Sequence, residues 1–330
     1  MNERATRGTL SRLTAGLAAV ALVAACTGGG APGTGGAGSP TAASDGGPKE
    51  PVKIAIHPWV GYEANAAVVG HLLEHELGYP VEKKTLKEDV TWPGFESGEV
   101  DVILENWGHP ELQQRYIEEK KVAVNIGPTG NVGIIAWYVP GWLAEEHPEV
   151  LDWSNLNDYA DQFRTSESGD LGQFLASDPT FVTFDEALVE NLDLDFKVVY
   201  SGSEAATISA FETAQREKQW LIGYFWDPHW IHSQIEMVRV KLPPYEEGCD
   251  ADPQKVACDY PDYVLDKIVS QKFADTGGAA FELIKNFNWT NDDQNLVADY
   301  ITNQGMTPED AGEKWVTENP DKWQAWMPQG

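Results

Sequence analysis

Short β-type runs alternate with helical segments along most of this chain. The clearest β-type runs are Val52–Ile56, residues 100–104, residues 132–139, Phe196–Tyr200, residues 220–225 and residues 237–242. Helical patterns cover residues 63–77, 110–120 and 204–218, and the segment from residue 262 to the end is predicted to be nearly all helical. Strands that alternate with helices favour βαβ units and a mainly parallel sheet. We therefore predict an α/β protein.

The chain is strongly acidic. Its 330 residues include 52 Asp and Glu against 23 Lys and Arg, which gives a formal charge of -29. Nucleic-acid binding relies on basic side chains that neutralise phosphates, so we expect no nucleic-acid partner. Apolar residues make up 42% of the chain, which is enough for a packed core, and this length suits two lobes.

The N-terminus has the layout of an exported lipoprotein. Three arginines precede an apolar run over residues 17–25, and the run ends in Leu22-Val23-Ala24-Ala25-Cys26. That ending resembles the bacterial lipobox, in which a small residue precedes the cysteine that receives lipid. We predict a signal peptide over residues 1–25, lipidation of Cys26 and a flexible Gly- and Pro-rich tether over residues 26–50. The protein would then be extracytoplasmic and held at the bacterial cell membrane by its lipid anchor only.

Two further cysteines, Cys249 and Cys258, lie nine positions apart in a segment rich in Pro and Asp. Cysteine pairs of exported proteins commonly form disulfides, so we predict a Cys249–Cys258 bridge. A metal site is the alternative, but companion ligands at useful spacing are missing from the surrounding sequence. We expect no metal and no cofactor.

One segment matches a catalytic motif. His71-Leu72-Leu73-Glu74-His75 has the H-x-x-E-H spacing of inverted zinc peptidases. The apolar stripe of this predicted helix lies at residues 68, 69, 72 and 73, which turns His71, Glu74 and His75 toward solvent. A zinc peptidase therefore remains only an alternative, and we expect the protein not to be an enzyme.

Tryptophans recur where predicted strands run out into loops. Trp59, Trp107 and Trp226 each follow or end such a strand. Ligands of open α/β sheets bind outside the carboxyl ends of the strands, so these three rings are expected to converge on one site. Several ring faces around one cleft suit a quaternary ammonium, which carries charge without an N–H to donate. Sugar binding is the alternative, although few polar side chains accompany these rings.

Five segments together resemble the glycine betaine and choline binding proteins of ABC importers. They are Ile56-His57-Pro58-Trp59-Val60-Gly61-Tyr62, Val102-Ile103-Leu104-Glu105-Asn106-Trp107, Asp185-Glu186-Ala187-Leu188, Ser201-Gly202-Ser203-Glu204-Ala205-Ala206 and Gly223-Tyr224-Phe225-Trp226-Asp227-Pro228-His229-Trp230. The resemblance spans residues 51–330. It implies a type II periplasmic-binding-protein fold, with two α/β lobes joined by hinge strands and a helical C-terminal region.

The resemblance also implies a division of the chain and a set of partners. Lobe 1 is expected over residues 51–130 and 236–330, and lobe 2 over residues 131–235. The lobes close over a small quaternary ammonium ligand and deliver it to the permease subunit of an ABC transporter. We expect the protein itself to be a monomer.

Site residues follow from the same resemblance. It makes Trp59, Trp107 and Trp226 walls of an aromatic cage, and Phe181 the expected further wall, with Trp137 or Tyr138 as substitutes. A ligand carboxylate would require hydrogen-bond donors. The backbone N–H groups of Ser203 and Glu204 at a helix N-terminus are suited to this, and His229 is a second possibility.

The residue at position 61 bears on ligand choice. Choline-selective relatives can set an acidic group near the first cage tryptophan, whereas this chain has Gly61 two residues after Trp59. This favours glycine betaine as the ligand. Choline, carnitine, an amino acid or a sugar remain alternatives, because Glu63 or Asp227 could supply an acidic group.

Overall fold

The computed structural model describes residues 49–329. Its strands are β1 (Val52–Ile56), β2 (Val81–Thr85), β3 (Val102–Asn106), β4 (Ala123–Pro140), β5 (Gly172–Ala176), β6 (Phe196–Tyr200), β7 (Ile222–Asp227), β8 (Met237–Arg239) and β9 (Asp262–Ser270). Its α-helices are α1 (Val60–His71), α2 (Glu88–Thr91), α3 (Pro93–Ser97), α4 (Pro110–Gln113), α5 (Gly141–Glu146), α6 (Asp185–Asn191), α7 (Glu204–Glu217), α8 (Gln271–Thr276), α9 (Gly278–Asn286), α10 (Asn291–Thr302), α11 (Pro308–Glu318) and α12 (Pro320–Trp323).

Shorter helical turns of other types complete the described part of the chain. π-helical turns span Leu72–Glu76 and Gln114–Glu119. The 3₁₀ turns are Pro148–Leu151, Trp153–Phe163, Trp230–Ser233 and Gln324–Trp326. The predicted alternation of strands and helices is therefore confirmed over most of residues 51–240.

Within residues 49–329, nine strands form one mixed sheet in the order β2-β1-β3-β9-β4-β7-β5-β6, with β8 paired to β4 outside that order. β1 runs parallel to β2 and β3, and β5 runs parallel to β6 and β7. The central strands β4 and β9 are antiparallel to each other and to all their other neighbours. The predicted parallel pairing holds for the two flanks, and the middle of the sheet is antiparallel.

β4 and β9 connect the two parallel groups. β4 is 18 residues long, pairs with β9 near both of its ends, and changes register twice in between. The predicted lobe boundary at residues 130–131 falls inside β4, and the boundary at residues 235–236 falls just before β8. Both boundaries stay predictions.

Strand β9 corrects the prediction that the chain is helical from residue 262 onward. Residues 262–270 contain three β-branched side chains, Val264, Ile268 and Val269, and such residues are enriched in strands. Their backbone is paired on one side with β3 and on the other with β4. Local composition and tertiary pairing therefore both favour a strand here.

The rest of the C-terminal region is helical, as predicted. α10 begins with a capping box, in which Thr290 and Asp293 each accept the backbone N–H of the other. Thr307 caps α11 by accepting the N–H of Asp310. These side chains satisfy N–H groups that a helix N-terminus otherwise leaves without partners.

α1 begins directly after Trp59, three residues earlier than the pattern predicts. It is buried along almost all of its length and packs against α10 and α11. The π turn Leu72–Glu76 continues it, and Gly78 follows with a φ of 67°. A glycine adopts this left-handed conformation without strain, which explains why the helical segment ends there.

Cys249 and Cys258 form a disulfide, with Cα atoms 6.4 Å apart. The predicted signal peptide, Cys26 and nearly all of the predicted tether lie outside the described residues. No helix within residues 49–329 is both long enough and apolar enough to span a bilayer.

Candidate functional site

An aromatic pocket lies at the ends of several strands. All four residues that the sequence predicts as cage walls line it. Its lining consists of Trp59, Glu88, Trp107, Ile135, Phe181, Val182, Tyr224 and Trp226. The rings are buried in this structure, with 3 to 8% of their surface exposed.

The three tryptophans reach the pocket because of where their strands end. Trp59 follows β1 and precedes α1 in extended conformation, with φ -143° and ψ 152°. Trp107 is the first residue after β3, and Trp226 is the second-last residue of β7. The prediction that side chains at strand ends converge therefore describes how this pocket is built.

Phe181 joins two of the tryptophans. Its ring centroid lies 5.4 Å from that of Trp59 and 5.6 Å from that of Trp226, with interplanar angles of 81° and 85°. Edge-to-face contacts of this kind are favourable, because the positive edge of one ring meets the negative face of another. Trp137 and Tyr138, the substitutes suggested for this wall, do not line the pocket. Trp137 packs against Phe174, and Tyr138 packs against His232.

A buried carboxylate holds two walls of the pocket. Glu105 Oε1 accepts the indole N–H of Trp59 at 3.1 Å and that of Trp107 at 2.8 Å. Its other oxygen accepts the side-chain amides of Asn65 and Gln294. These four donors fix the orientation of both indoles and satisfy the carboxylate inside the protein.

Burial raises the pKa of Glu105 to about 7, although the hydrogen bonds from Trp107, Trp59, Gln294 and Asn65 act in the opposite direction. Removing a carboxylate from water disfavours its charged form, and donors that bind the charged form favour it. Glu105 therefore titrates near neutral pH.

Glu88 brings a second carboxylate to the pocket wall. It is 2% exposed, and its Oε1 lies 3.3 Å from His109 Nε2 and 3.8 Å from His57 Nδ1. Burial lowers the pKa of His109, but Glu111 and Glu88 outweigh this effect and raise it to about 9. Burial and the nearby His109 lower the pKa of His57 to about 3. His109 is thus the cation that faces Glu88.

The predicted carboxylate-binding donors are not part of the pocket lining. Ser203 is exposed and caps α7 by accepting the N–H of Ala206. The side chain of Glu204 turns toward α1, where its two oxygens accept the backbone N–H of Val60 at 3.2 and 3.1 Å. His229 also contacts Glu204, with 2.9 Å between His229 Nε2 and Glu204 Oε1.

Of the site residues that sequence reasoning missed, some follow from a local sequence pattern and others do not. Tyr224 lies two positions before Trp226 on β7, so the two-residue period of a strand puts both on one face. Ile135 pairs directly with Trp226 across β4 and β7. Gln294, which bonds Glu105, is 189 positions away in sequence and gives no such signal.

Gly61 has a packing role. A Cβ atom at this position would overlap Gln294 Nε2, the group that donates to Glu105. An acidic side chain at position 61 would therefore require the end of the Gln294 side chain to move.

The H-x-x-E-H segment lies at the far end of α1. His71 and His75 have ring centroids 4.5 Å apart, and Glu74 and His75 are exposed. None of the three residues lines the aromatic pocket. Within residues 49–329, no three His, Cys, Asp or Glu side chains come together in a way that could hold a metal ion.

Comparison with known proteins agrees with this geometry. The family model of the substrate-binding domain of ABC-type glycine betaine transport systems matches residues 50–318. The trimethylamine N-oxide-binding protein of Pelagibacter ubique is 26% identical over 294 residues, which cover 83% of this chain and 90% of that protein.

Two solved structures share the fold. Lactococcal OpuAC in its closed conformation with glycine betaine is 21% identical with a TM-score of 0.66, covering 85% of this chain and 100% of that chain. A choline-binding protein of an ABC transporter in complex with choline is 19% identical with a TM-score of 0.68, covering 84% and 91%. The predicted two-lobed periplasmic-binding-protein fold is thereby confirmed.

Proposed function

The chain belongs to the family of substrate-binding domains of ABC-type glycine betaine transport systems, and on this premise we propose that it captures a quaternary ammonium compound for an ABC importer. The ligand is bound in the aromatic pocket outside the cytoplasm and is passed to the permease subunit. The protein binds its ligand without chemical change.

The aromatic pocket carries this proposal. Trp59, Trp107, Phe181 and Trp226 line one small pocket, and all four residues are buried. A quaternary ammonium has no N–H group, so attraction to ring faces is the main interaction that a protein can offer it. Each well-positioned ring contributes roughly 2 kcal/mol once the cation is desolvated.

Glu105 supports the same ligand class. Its carboxylate accepts the indole N–H groups of Trp59 and Trp107, so a negative charge lies directly behind two ring walls. Hydrogen bonding to an anion polarises the indoles, and a cation in front of them is attracted both to the rings and to Glu105. A neutral sugar would gain nothing from this charge.

The distribution of the walls along the chain suits capture by closure. Under the predicted boundaries, Trp59 and Trp107 belong to lobe 1, whereas Phe181 and Trp226 belong to lobe 2. Phe181 contacts Trp59 across that division. Separation of the lobes would open the cage to solvent, and ligand binding would favour the closed arrangement.

We also propose that lipid at Cys26 holds the protein on the outer side of the cell membrane, with residues 26–50 as the tether. The segment before Cys26 resembles a lipoprotein signal, and the residues that follow are rich in Gly and Pro. This arrangement keeps the pocket near a membrane-bound permease.

Isothermal titration calorimetry of the mature protein tests the proposed function. The panel is choline, glycine betaine, trimethylamine N-oxide, L-proline and glucose. We expect at least one of the first three compounds to bind about tenfold tighter than proline and glucose, or about 1.4 kcal/mol. NMR spectra of the bound compound after release should be unchanged. Tighter binding of proline or glucose than of all three methylated amines would contradict the proposal.

A further inference from the structure

The carboxylate of Glu204 occupies N–H donors that flank the aromatic pocket. It accepts the backbone N–H of Val60, the residue after pocket wall Trp59, at 3.1 and 3.2 Å. It also lies 2.9 Å from His229, whose ring packs edge-on against pocket wall Trp226 at 5.2 Å between centroids. Glu204 therefore bonds to Val60, which is next to Trp59 in the chain, and to His229, which packs against Trp226.

The hydrogen bonds of His229 fix which of its nitrogens donates. His229 Nδ1 accepts the backbone N–H of Ile231 at 3.1 Å, so this nitrogen carries no proton in the neutral ring. The proton is then on Nε2, which donates to Glu204. Val60 N–H and His229 Nε2–H are thus both directed at a carboxylate that belongs to the protein itself.

Val60 and Glu204 are 144 positions apart and belong to different predicted lobes. A second pair joins the same two regions, because Lys87 Nζ lies 3.1 Å from Asp178 Oδ2. The side chain of Glu204 is 14% exposed, so water competes little for its oxygens. Both contacts therefore join the two predicted lobes in this structure.

The pocket lining offers few polar groups to a ligand carboxylate, with the Tyr224 hydroxyl and the Trp226 indole N–H as its remaining donors. Among its described residues, Glu88 is the one with a formally charged side chain, and this charge is negative. The indole N–H groups of Trp59 and Trp107 are already donated to Glu105. A ligand carboxylate would therefore have Glu105 behind two of the walls and Glu88, which His109 faces as a cation, beside it, and like charges side by side are repulsive.

We propose, resting on the proposed function, that Glu204 is a specificity-determining residue that stands where a ligand carboxylate would otherwise be received. The pocket then selects quaternary ammonium cations without a carboxylate, such as choline, over zwitterions such as glycine betaine. This departs from the preference for glycine betaine that Gly61 suggests in the sequence.

Calorimetry on Glu204→Ala and Glu204→Gln tests the inference, with choline and glycine betaine as ligands. The wild-type protein should bind choline at least about tenfold tighter than glycine betaine. Glu204→Ala frees Val60 N–H and His229, so the ratio of the two affinities should shift at least about tenfold toward glycine betaine. Glu204→Gln keeps an acceptor for both donors but removes the charge, and its shift should be smaller.

Glu186→Ala is the matched control, because Glu186 is also acidic, lies in the first turn of α6 and does not line the pocket. It should leave the affinity ratio unchanged. Thermal unfolding of each variant verifies that it is folded. If Glu204→Ala does not fold, the affinity ratio of Glu204→Gln decides the test.

Three outcomes would overturn the inference. A wild-type preference for glycine betaine, or an affinity ratio that stays constant in folded Glu204 variants, would overturn it while leaving the proposed function intact. Failure of the wild-type protein to bind any quaternary ammonium compound would overturn the proposed function and this inference together.

Discussion

The indole N–H of Trp107 donates to the carboxylate of Glu105, two positions earlier, at 2.8 Å. The two side chains follow from one strand end, since Glu105 is in β3 and Trp107 comes directly after it. Glu105 also accepts the indole of Trp59, so one buried charge holds two walls of the pocket. Loss of that charge should change both binding and its pH dependence.

We expect cation binding to strengthen as the pH rises from about 6 to 8, because Glu105 has a pKa of about 7. A bound cation favours the ionised carboxylate, so binding lowers the pKa of Glu105 and releases a proton below pH 7. The dissociation constant for choline should fall by up to about tenfold over this range. Calorimetry in buffers with different ionisation enthalpies measures both the affinity and the proton release.

Glu105→Gln is the control for this pH dependence. The amide retains the shape of the side chain but does not titrate, so the variant should bind choline more weakly and with a flatter pH profile. An unchanged pH profile in Glu105→Gln would assign the titration to another group, such as His109.

Trp107→Leu and Trp107→Tyr separate ring attraction from apolar contact. Leucine keeps an apolar wall without a π face and should lose roughly 2 kcal/mol of choline binding, whereas tyrosine should lose distinctly less. The neutral isostere 3,3-dimethylbutanol should bind the wild-type protein far more weakly than choline does. Calorimetry with both ligands makes the comparison.

Trp323→Leu is the matched control for these variants, because Trp323 is half-buried and does not line the pocket. Its choline affinity should equal that of the wild-type protein. Equal affinities of Trp107→Leu and Trp107→Tyr would mean that Trp107 acts only as an apolar wall.

Gly133→Ala should displace Trp107, one of the pocket walls. A Cβ atom at this position would lie 2.5 Å from Trp107 Cζ3 and 2.8 Å from Leu265 Cδ2. Overpacking of this kind costs about 1 to 3 kcal/mol of stability, and displacement of Trp107 should weaken choline binding as well. Chemical denaturation and calorimetry measure the two effects.

Gly70→Ala serves as the comparison for Gly133→Ala. Gly70 is inside α1, and its Cβ would lie 3.7 Å from the nearest side-chain atom. Alanine is the better helix former by up to about 1 kcal/mol, so stability should rise and affinity should stay constant. If Gly133→Ala were equally harmless, the close packing of Trp107 on Gly133 would be unimportant.

The double variant Cys249→Ser/Cys258→Ser should lose stability but not affinity. The bridge closes a short loop with a sequence separation of 9, and chain-entropy estimates for such a loop give about 2 to 3 kcal/mol. Neither cysteine lines the pocket. Denaturation curves should show the loss, while a weaker affinity for choline would reveal a coupling that this structure gives no reason to expect.

Cys26→Ser should release the protein from the membrane with its pocket intact. The serine cannot receive lipid through a thioether, and residues 26–50 share no residue with the pocket lining. Fractionation of cells, followed by immunodetection and calorimetry of the released protein, measures both properties. Membrane retention of the mature Cys26→Ser protein would contradict the proposed anchor.

Sequence reasoning found what local pattern determines. Trp59, Trp107 and Trp226 were visible because each lies where a β-type run ends, and strand ends of an α/β sheet meet at one edge. The disulfide pair was visible from its spacing. Phe181 came from resemblance alone, since nothing in its own neighbourhood predicts a wall.

What sequence reasoning missed depends on contacts between distant segments. β9 is extended because β3 and β4 pair with both of its edges, in a C-terminal region that the sequence analysis predicts to be nearly all helical. Gln294 and Glu105 meet across 189 positions. Gly61 also meets a distant residue, because a Cβ atom there would overlap Gln294 Nε2.

The contact between Gly61 and Gln294 has a consequence for redesign of this protein. The two positions form one engineering unit, because any side chain added at 61 displaces the amide that helps to hold Glu105. A library that varies position 61 alone would sample mainly variants in which the Gln294 side chain has shifted. A library that varies position 61 together with a shorter residue at position 294 would reach ligand specificities that changes at position 61 alone cannot.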